Sequence, residues 1–282
     1  MQKVNKIIKY LLLIIIAVIV MFPIVYMVTN SFMSMSEVNI YYPLDEINKS
    51  KEFINLHIIP DSITFNQYYN VFFRNPEFLD KFWNSIKIVC PIIIGQLIVI
   101  IPASFVFAKF KIPYKNIIYF AIIILMMMPL QVTLVPNYIV LDKLNLIGKN
   151  LSLILPNIFS CMSLVLLTQY IKSIPNEQLE AATVDGANLF IILFKIIIPQ
   201  SKGAIVTMII LSFAECWNMI EQPMIFLRDK NKFPLSAYLS TINSSDIGLA
   251  FACGIIYMIP AIIIFLLGEK YLIDGMKHLQ IK

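Results

Sequence analysis

The stretch SIPNEQLEAATVDGANLFIILFKIIIP, Ser173 to Pro199, interrupts an otherwise apolar chain and decides how the segments on either side are read. Pro175 fits only the first turn of a helix, where its missing N–H would be unsatisfied anyway, and Glu177 and Glu180 favour the positive end of that helix's dipole. Gly186 can supply the left-handed residue that stops it. A short polar helix is therefore expected from Asn176 to Asp185. Asn188 can then cap a second helix that ends at Pro199 and is interrupted by Lys195. At about eleven residues this helix is too short to span a bilayer and suits an interface instead. Together the two make an elbow projecting from a membrane.

Working outward, the elbow lies between apolar runs at about 151–171 and 202–220, and four more follow the same pattern at about 10–29, 85–108, 116–136 and 248–267. Each is close to the roughly 20 residues needed to cross a hydrocarbon core of about 30 Å. The whole chain of 282 residues is 59% hydrophobic and 14% charged, with a mean hydropathy of +0.80. Soluble domains are roughly 45–50% apolar and about 25% charged, so the soluble globular, disordered and nucleic-acid-binding classes are excluded. The expectation is an all-α polytopic membrane protein with six transmembrane helices in a single domain over 1–282, leaving no room for a soluble catalytic domain. Cys90, Cys161, Cys216 and Cys253 all fall inside apolar runs. With no CxxC pair and only His57 and His278 to help, they read as small hydrophobes, and no disulfide, metal or cofactor is expected.

Lys3, Lys6 and Lys9 precede the first run, which is too long for a signal peptide and is followed by no small-x-small cleavage site, so it reads as a retained anchor. The polar stretch from Asn30 to about Phe82 carries the opposite sign, with Glu37, Asp45, Glu46, Glu52, Asp61, Glu77 and Asp80. Placing both termini inside gathers Lys109, Lys111 and Lys115, then Lys172, Lys195 and Lys202, then Lys270, Lys277 and Lys282 on the N-terminal side of the membrane. The positive-inside rule then puts loop 172–201 in the cytoplasm and loop 30–82 outside, in a multi-pass cell-membrane protein. Pro23, Pro91, Pro102, Pro129, Pro156 and Pro260 lie in or near span interiors, as kinks or, alternatively, as hinges.

The order Glu180-Ala181-Ala182, three residues, Gly186, nine residues, then Ile196-Ile197-Ile198-Pro199 resembles the cytoplasmic loop that defines permease subunits of ATP-binding-cassette (ABC) importers, and Asp185-Gly186-Ala187 strengthens the likeness. Landmarks along most of the chain are similar to one branch: FPIVYMVTNSF (Phe22 to Phe32), ITFNQYYNVF (Ile63 to Phe72), FWNSIKIV (Phe82 to Val89) and ASFVFAKFKIPYKN (Ala103 to Asn116). So are MMMPLQVTLVPNYIVLDKLNLIGKNLSLIL (Met126 to Leu155) and ECWNMIEQPMIFLRD (Glu215 to Asp229). The branch they resemble is the carbohydrate-uptake importers, and within it the second, maltose-type six-span permease.

The resemblance implies a type I importer permease fold and a transport subunit that neither binds nor hydrolyses ATP. None of the eight glycines starts a GxxxxGK[ST] phosphate cradle, in agreement. It implies four kinds of partner: a second related permease, a cytoplasmic ATPase dimer, an external solute-binding protein and the lipid bilayer. It also implies that the elbow docks on the ATPase and moves as a rigid body between inward-facing and outward-facing states. Residue by residue, Ala181 and Ala182 would let the partner approach, Gly186 would set the elbow angle, and Glu180 would accept charge-assisted bonds at the docking surface. Asp185 would cap or pair locally, and Pro199 would close the segment. The chain departs from the pattern at Gly203, where many relatives have a second proline, and in the tail YLIDGMKHLQIK, which keeps only Gly275 and Lys277 of a usually glycine-rich ending.

Glu215 is the only acid well inside a span, which makes it a functional candidate or an acid paired near the outer end. Trp217 and Asn218, a turn away or less, are candidates to line the pathway by stacking on a sugar ring and bonding its hydroxyls. Gln131, Asn137 and Tyr138 are further candidates, with membrane-boundary anchoring as the alternative for the tyrosine. The functional expectation is uptake of a sugar or oligosaccharide. A polyol or glycerol phosphate importer is the alternative within the class, although the sole arginines, Arg74 and Arg228, lie outside the spans and favour a neutral substrate. From another class, an ion-coupled secondary transporter would use Glu215 as its coupling carboxylate. An integral membrane enzyme would need a paired-carboxylate, Ser/His or His-cluster constellation at membrane depth, and none is present in the sequence.

Overall fold

The computed structural model describes residues 2–42, 57–74, 76–241 and 247–280, with the side chains of 2–5, 247 and 272–280 left aside. Asp45, Glu46 and Glu52 of the acidic stretch and Lys282 of the tail lie outside the described residues, as does the side chain of Lys277. Every regular element among the described residues is helical, as the apolar runs require: in hydrocarbon the helix satisfies its own backbone polar groups. Two compact units are formed, one from 1–82 with 238–259 and one from 83–237 with 260–282.

The first unit begins with α1 (Gln2–Asn30), which is apolar on every face and exposed along 6–23. Its end is anchored by polar groups that the hydropathy pattern conceals. Tyr26 and Tyr42 hydrogen-bond through their hydroxyls, Tyr42 also donates to Asn30 Oδ1 at 3.0 Å, and Ser31 Oγ meets Tyr68 OH at 2.7 Å. A short α2 (Met35–Tyr41) starts at the Ser34 cap, whose hydroxyl accepts from the Glu37 N–H. Met33, Val38 and Tyr42 form a small core against Tyr26 and Phe251. Then come α3 (Asn66–Tyr69), which continues as a π turn over Asn70–Arg74, and the start of α4 (Pro76–Lys109), where buried Lys81 pairs with Glu77 one turn back at 3.6 Å.

The second unit takes the rest of α4 and then α5 (Lys115–Met126), α6 (Leu130–Lys143), α7 (Leu151–Asn157), α8 (Cys161–Lys172), α9 (Asn176–Val184) and α10 (Leu189–Ile192). It continues with α11 (Lys202–Trp217), α12 (Glu221–Phe226) and α13 (Leu235–Leu239), and α14 (Ile247–Gln280) ends within it. Its core joins Ile100 and Phe105 of α4, Leu164, Leu167 and Ile171 of α8, Ile192 and Ile197 after the elbow, and Ile205 and Met208 of α11. Lipid tails are as apolar as leucine, so close packing and interhelical hydrogen bonds hold such helices together rather than escape from water. Both devices are present. A Cβ on Gly95 of α4 would fall 2.6 Å from Ile158, and Ser163 of α8 meets Ser212 of α11 at 3.2 Å in the interior.

Among the described residues four stretches are long and apolar enough to cross a membrane: Lys6–Asn30, Pro76–Lys109, Leu151–Lys172 and Gly248–Tyr271. Two more candidates are bent pairs. Lys115–Met126 meets Leu130–Lys143 at 107°, and Leu189–Gln200 meets Lys202–Trp217 at 75°. The first break has a local cause, because Pro129 adopts an extended ψ of 144° and cannot continue the preceding helix, so the run expected as one span at 116–136 turns sharply in its middle.

Candidate functional site

The elbow is built by local rules and fixed by one long-range contact. The helix α9 starts immediately after Pro175, whose φ of −60° and ψ of 139° place it as the cap. It ends at Gly186, which has φ of +83°. The Gly186 N–H donates to the Thr183 carbonyl at 3.0 Å and the Ala187 N–H to the Ala182 carbonyl at 2.9 Å. These two bonds are a Schellman closure, which needs a left-handed residue where Gly186 stands. Asn188 then caps α10, its Oδ1 accepting from the Ile191 N–H at 2.9 Å. A π turn over Leu193–Ile197 follows, just ahead of Pro199, whose ring would collide with the Lys195 carbonyl in a regular helix.

No residue of α9 is buried: Glu180, Ala181 and Asp185 are exposed, and only Leu179 and Ala182 lean on the core beneath. Despite that, the helix is tied at its start. Lys109, the last residue of α4, donates its ammonium to the Ile174 carbonyl and to Asn176 Oδ1, the latter at 2.9 Å. At the other side Gln200 Nε2 donates to Gln178 Oε1 at 2.6 Å. Lys109, Lys111, Asn176, Glu180 and Thr183 line a cavity of about 500 Å³ between α9 and the end of α4. The result is an exposed helix tied at its start to the end of α4 and along its side to Gln200. Spacing in the sequence does not single out Lys109 for this task, since the groups it holds are 65 or more positions away.

The six candidates for the pathway separate. Glu215 and Asn137 line one cavity of about 430 Å³, and Glu215 and Asn218 line an adjoining one of about 320 Å³. Gln131 lies just beyond, donating to Glu221 Oε1 at 3.1 Å. Trp217 is elsewhere: it is 1% exposed and stacks on Phe213 with centroids 5.2 Å apart, a core side chain and not a lining one. Tyr138 accepts from Arg228 at 3.3 Å, and Arg228 also pairs with Asp142 at 3.8 Å.

Three further amides sit in that larger cavity, and of them only Gln222 falls within a stretch that the sequence marks. Gln96 Nε2 donates to the Asn157 carbonyl at 2.8 Å, and Asn157 Nδ2 donates to Gln222 Oε1 at 2.9 Å, linking α4, α7 and α12. Gln96 is buried, and its Oε1 has no hydrogen-bond partner among the described residues. The one signal for it is the polar residue itself in the apolar run PIIIGQLIVIIP, since such a residue faces protein or water inside a membrane. These neutral donors and acceptors are equipped to exchange hydrogen bonds with hydroxyl groups, beside the Glu215 carboxylate that lines the same cavity.

The sequence pattern of the family described as "Binding-protein-dependent transport system inner membrane component" matches residues 100–278. The arabinooligosaccharides transport system permease protein AraQ of Bacillus subtilis is 31% identical over 226 residues, 79% of this chain and 80% of that protein. The sn-glycerol-3-phosphate transport system permease protein UgpE of Pectobacterium atrosepticum is 25% identical over 198 residues, 68% of this chain and 70% of that one. Among solved structures, a chain of a bacterial ABC transporter involved in the import of the acidic polysaccharide alginate shares the fold. Its TM-score is 0.81 at 24% identity, over 96% of this chain and 97% of that chain.

Proposed function

We propose that this chain, which belongs to the family of binding-protein-dependent transport system inner membrane components, forms half of the membrane pathway of an ABC importer for a sugar or oligosaccharide. In this reading six spans cross the membrane, both bent pairs counting as one each, and both termini are cytoplasmic. The α9 elbow docks on a separate ATPase subunit, a second related permease completes the pathway, and an external solute-binding protein delivers the substrate.

One observation supports the coupling role above the others. The helix α9 buries no residue and yet is pinned by Lys109 at one end and closed by Gly186 at the other. Holding such a solvated helix in one geometry is unrewarded within the chain and useful against a partner. Support for a neutral substrate comes from the amide-lined cavity and from the relative named for arabinooligosaccharides. The relatives named for glycerol 3-phosphate favour a second reading. Against it, Arg228 is held by Asp142 and Tyr138, and the Arg74 guanidinium lies over the Tyr69 ring at 5.8 Å, so neither lines the cavity.

The test is affinity purification of the tagged chain in mild detergent, identification of the subunits that accompany it, and reconstitution of that assembly in liposomes. Uptake of arabino-oligosaccharides and of glycerol 3-phosphate is then measured with and without ATP. ATP-dependent uptake of the oligosaccharide supports the reading, and preference for glycerol 3-phosphate selects the second. Recovery of the chain alone, with uptake persisting after ATP depletion, would leave the ion-coupled transporter built on Glu215.

A further inference from the structure

The segment after α1 brings together three side chains whose sequence positions give no hint of a site. Glu37 lies on α2, and His57 and Asp61 lie ahead of α3. Their ligand atoms all fall within 4.8 Å of one another. His57 Nε2 is 3.8 Å from Glu37 Oε1 and 3.5 Å from Asp61 Oδ1, and it hydrogen-bonds to neither. Glu37 is 5% exposed, and its Oε2 is buried with no hydrogen-bond partner among the described residues. An ionised carboxylate so withdrawn from water costs several kcal/mol unless a cation or donors meet it, and the single backbone N–H it accepts, from Asp61, is a partial answer.

We propose that Glu37, His57 and Asp61 form a binding site for one divalent transition-metal ion of the zinc type. The donor set is one imidazole nitrogen and two carboxylates, which suits zinc and its neighbours better than calcium or magnesium, whose ligands are oxygens. Spacing agrees as well. Ligands about 2.1 Å from a tetrahedral zinc stand about 3.4 Å apart, close to the 3.5 and 3.8 Å found around His57 Nε2. The surrounding contacts hold each ligand in place, as metal sites require. Tyr41 stacks on the His57 ring at 3.8 Å between centroids and donates its hydroxyl to Asp61 Oδ2 at 2.8 Å, which leaves Oδ1 turned to the site. The Tyr42 hydroxyl packs beside the His57 carbonyl, 3.4 Å away. The ion would tie α2 to the chain entering α3, and this inference stands whether or not the chain carries sugar.

The full chain, purified with a tag free of histidine, is titrated with Zn2+ by calorimetry and with Co2+ by visible absorption. His57 and His278 are its only histidines, so background binding is low. The expected result is one ion per chain, with visible Co2+ bands of the intensity given by four- or five-coordinate nitrogen and oxygen sites. Affinity falls at least tenfold in His57→Asn, Glu37→Gln and Asp61→Asn, whose elution volume and thermal transition without metal match the parent. Glu37→Gln retains an oxygen to accept the Asp61 N–H, and Asp61 is exposed, so these two variants keep the comparison interpretable if His57→Asn does not fold. Absence of saturable binding by the parent, or binding equal in parent, Glu37→Gln and Asp61→Asn, overturns the site.

Discussion

Lys109 and Asn176 stand 67 positions apart in sequence and are joined by a 2.9 Å hydrogen bond from the ammonium to Oδ1, with the Ile174 carbonyl as the ammonium's second acceptor. Through this pair the end of a long apolar helix holds the first residue of the exposed elbow. Lys109→Met keeps most of the aliphatic stem and removes both bonds, loosening the elbow by about 1 kcal/mol. Uptake per ATP hydrolysed, measured in liposomes with the partner subunits, is expected to fall several-fold while the chain still inserts. An unchanged ratio would take Lys109 out of the coupling path.

Gly186 sits at φ +83° with no atom within 4 Å of the place a Cβ would occupy. Any cost of substitution is therefore backbone strain and not crowding, about 1–2 kcal/mol for an ordinary L residue. Gly186→Val should cut uptake at least tenfold in the reconstituted assembly, and Gly186→Asn, which tolerates the left-handed region, should keep more of it. Equal losses in the two variants would point to a clash and contradict this account.

Glu180 is exposed on α9, beside Lys109 and Lys111 across the cavity. Reversing its charge leaves the helix intact, since the position is solvated and mid-helix. The expected outcome for Glu180→Arg is normal membrane insertion, weakened co-purification of the ATPase and at least a tenfold loss of ATP-driven uptake, with Glu180→Gln intermediate. Near-normal transport by both Glu180→Arg and Gly186→Val would defeat the docking role.

Ser163 and Ser212 form a buried hydrogen bond at 3.2 Å between α8 and α11. Interhelical bonds of this kind contribute about 0.6 kcal/mol on average in membrane proteins. A double-mutant cycle with Ser163→Ala and Ser212→Ala, followed by reversible unfolding in mixed micelles, should give a coupling energy of about that size. A value of zero would mean that the pair is a consequence of packing and not one of its causes.

Local chemistry makes the elbow legible in the sequence alone. Pro175, Gly186 and Asn188 act on their own backbones, so their order along the chain places a helix at Asn176 to Asp185, one residue from the observed end at Val184. The apolar runs are legible for the same reason, because hydrocarbon demands length and little else. What stays hidden depends on distant partners. Trp217 cannot be told from a lining residue by spacing, since Phe213 covers it one turn away on the buried face of α11. Gln96 and Gln222 acquire meaning only when Asn157 comes between them, and Pro129 marks a kink in the sequence without giving its 107° angle. Glu37, His57 and Asp61 stay hidden because metal-ligand spacings of cysteine and histidine say nothing of carboxylates brought in by the fold.

The π turn over Leu193–Ile197 carries one residue more than a regular helix would need to cover the same ground. Each residue turns an α-helix by about 100°, so this extra one works as a phase shifter: it rotates everything downstream without changing its chemistry. Buried Ile192 before it and buried Ile197 at its end both belong to the core of the second unit, with that rotation falling between them. Deleting Ile196 would spare every hydrogen-bonding side chain and still turn Ile197 out of line with that core. At this joint counting residues governs the architecture more strictly than their identity does.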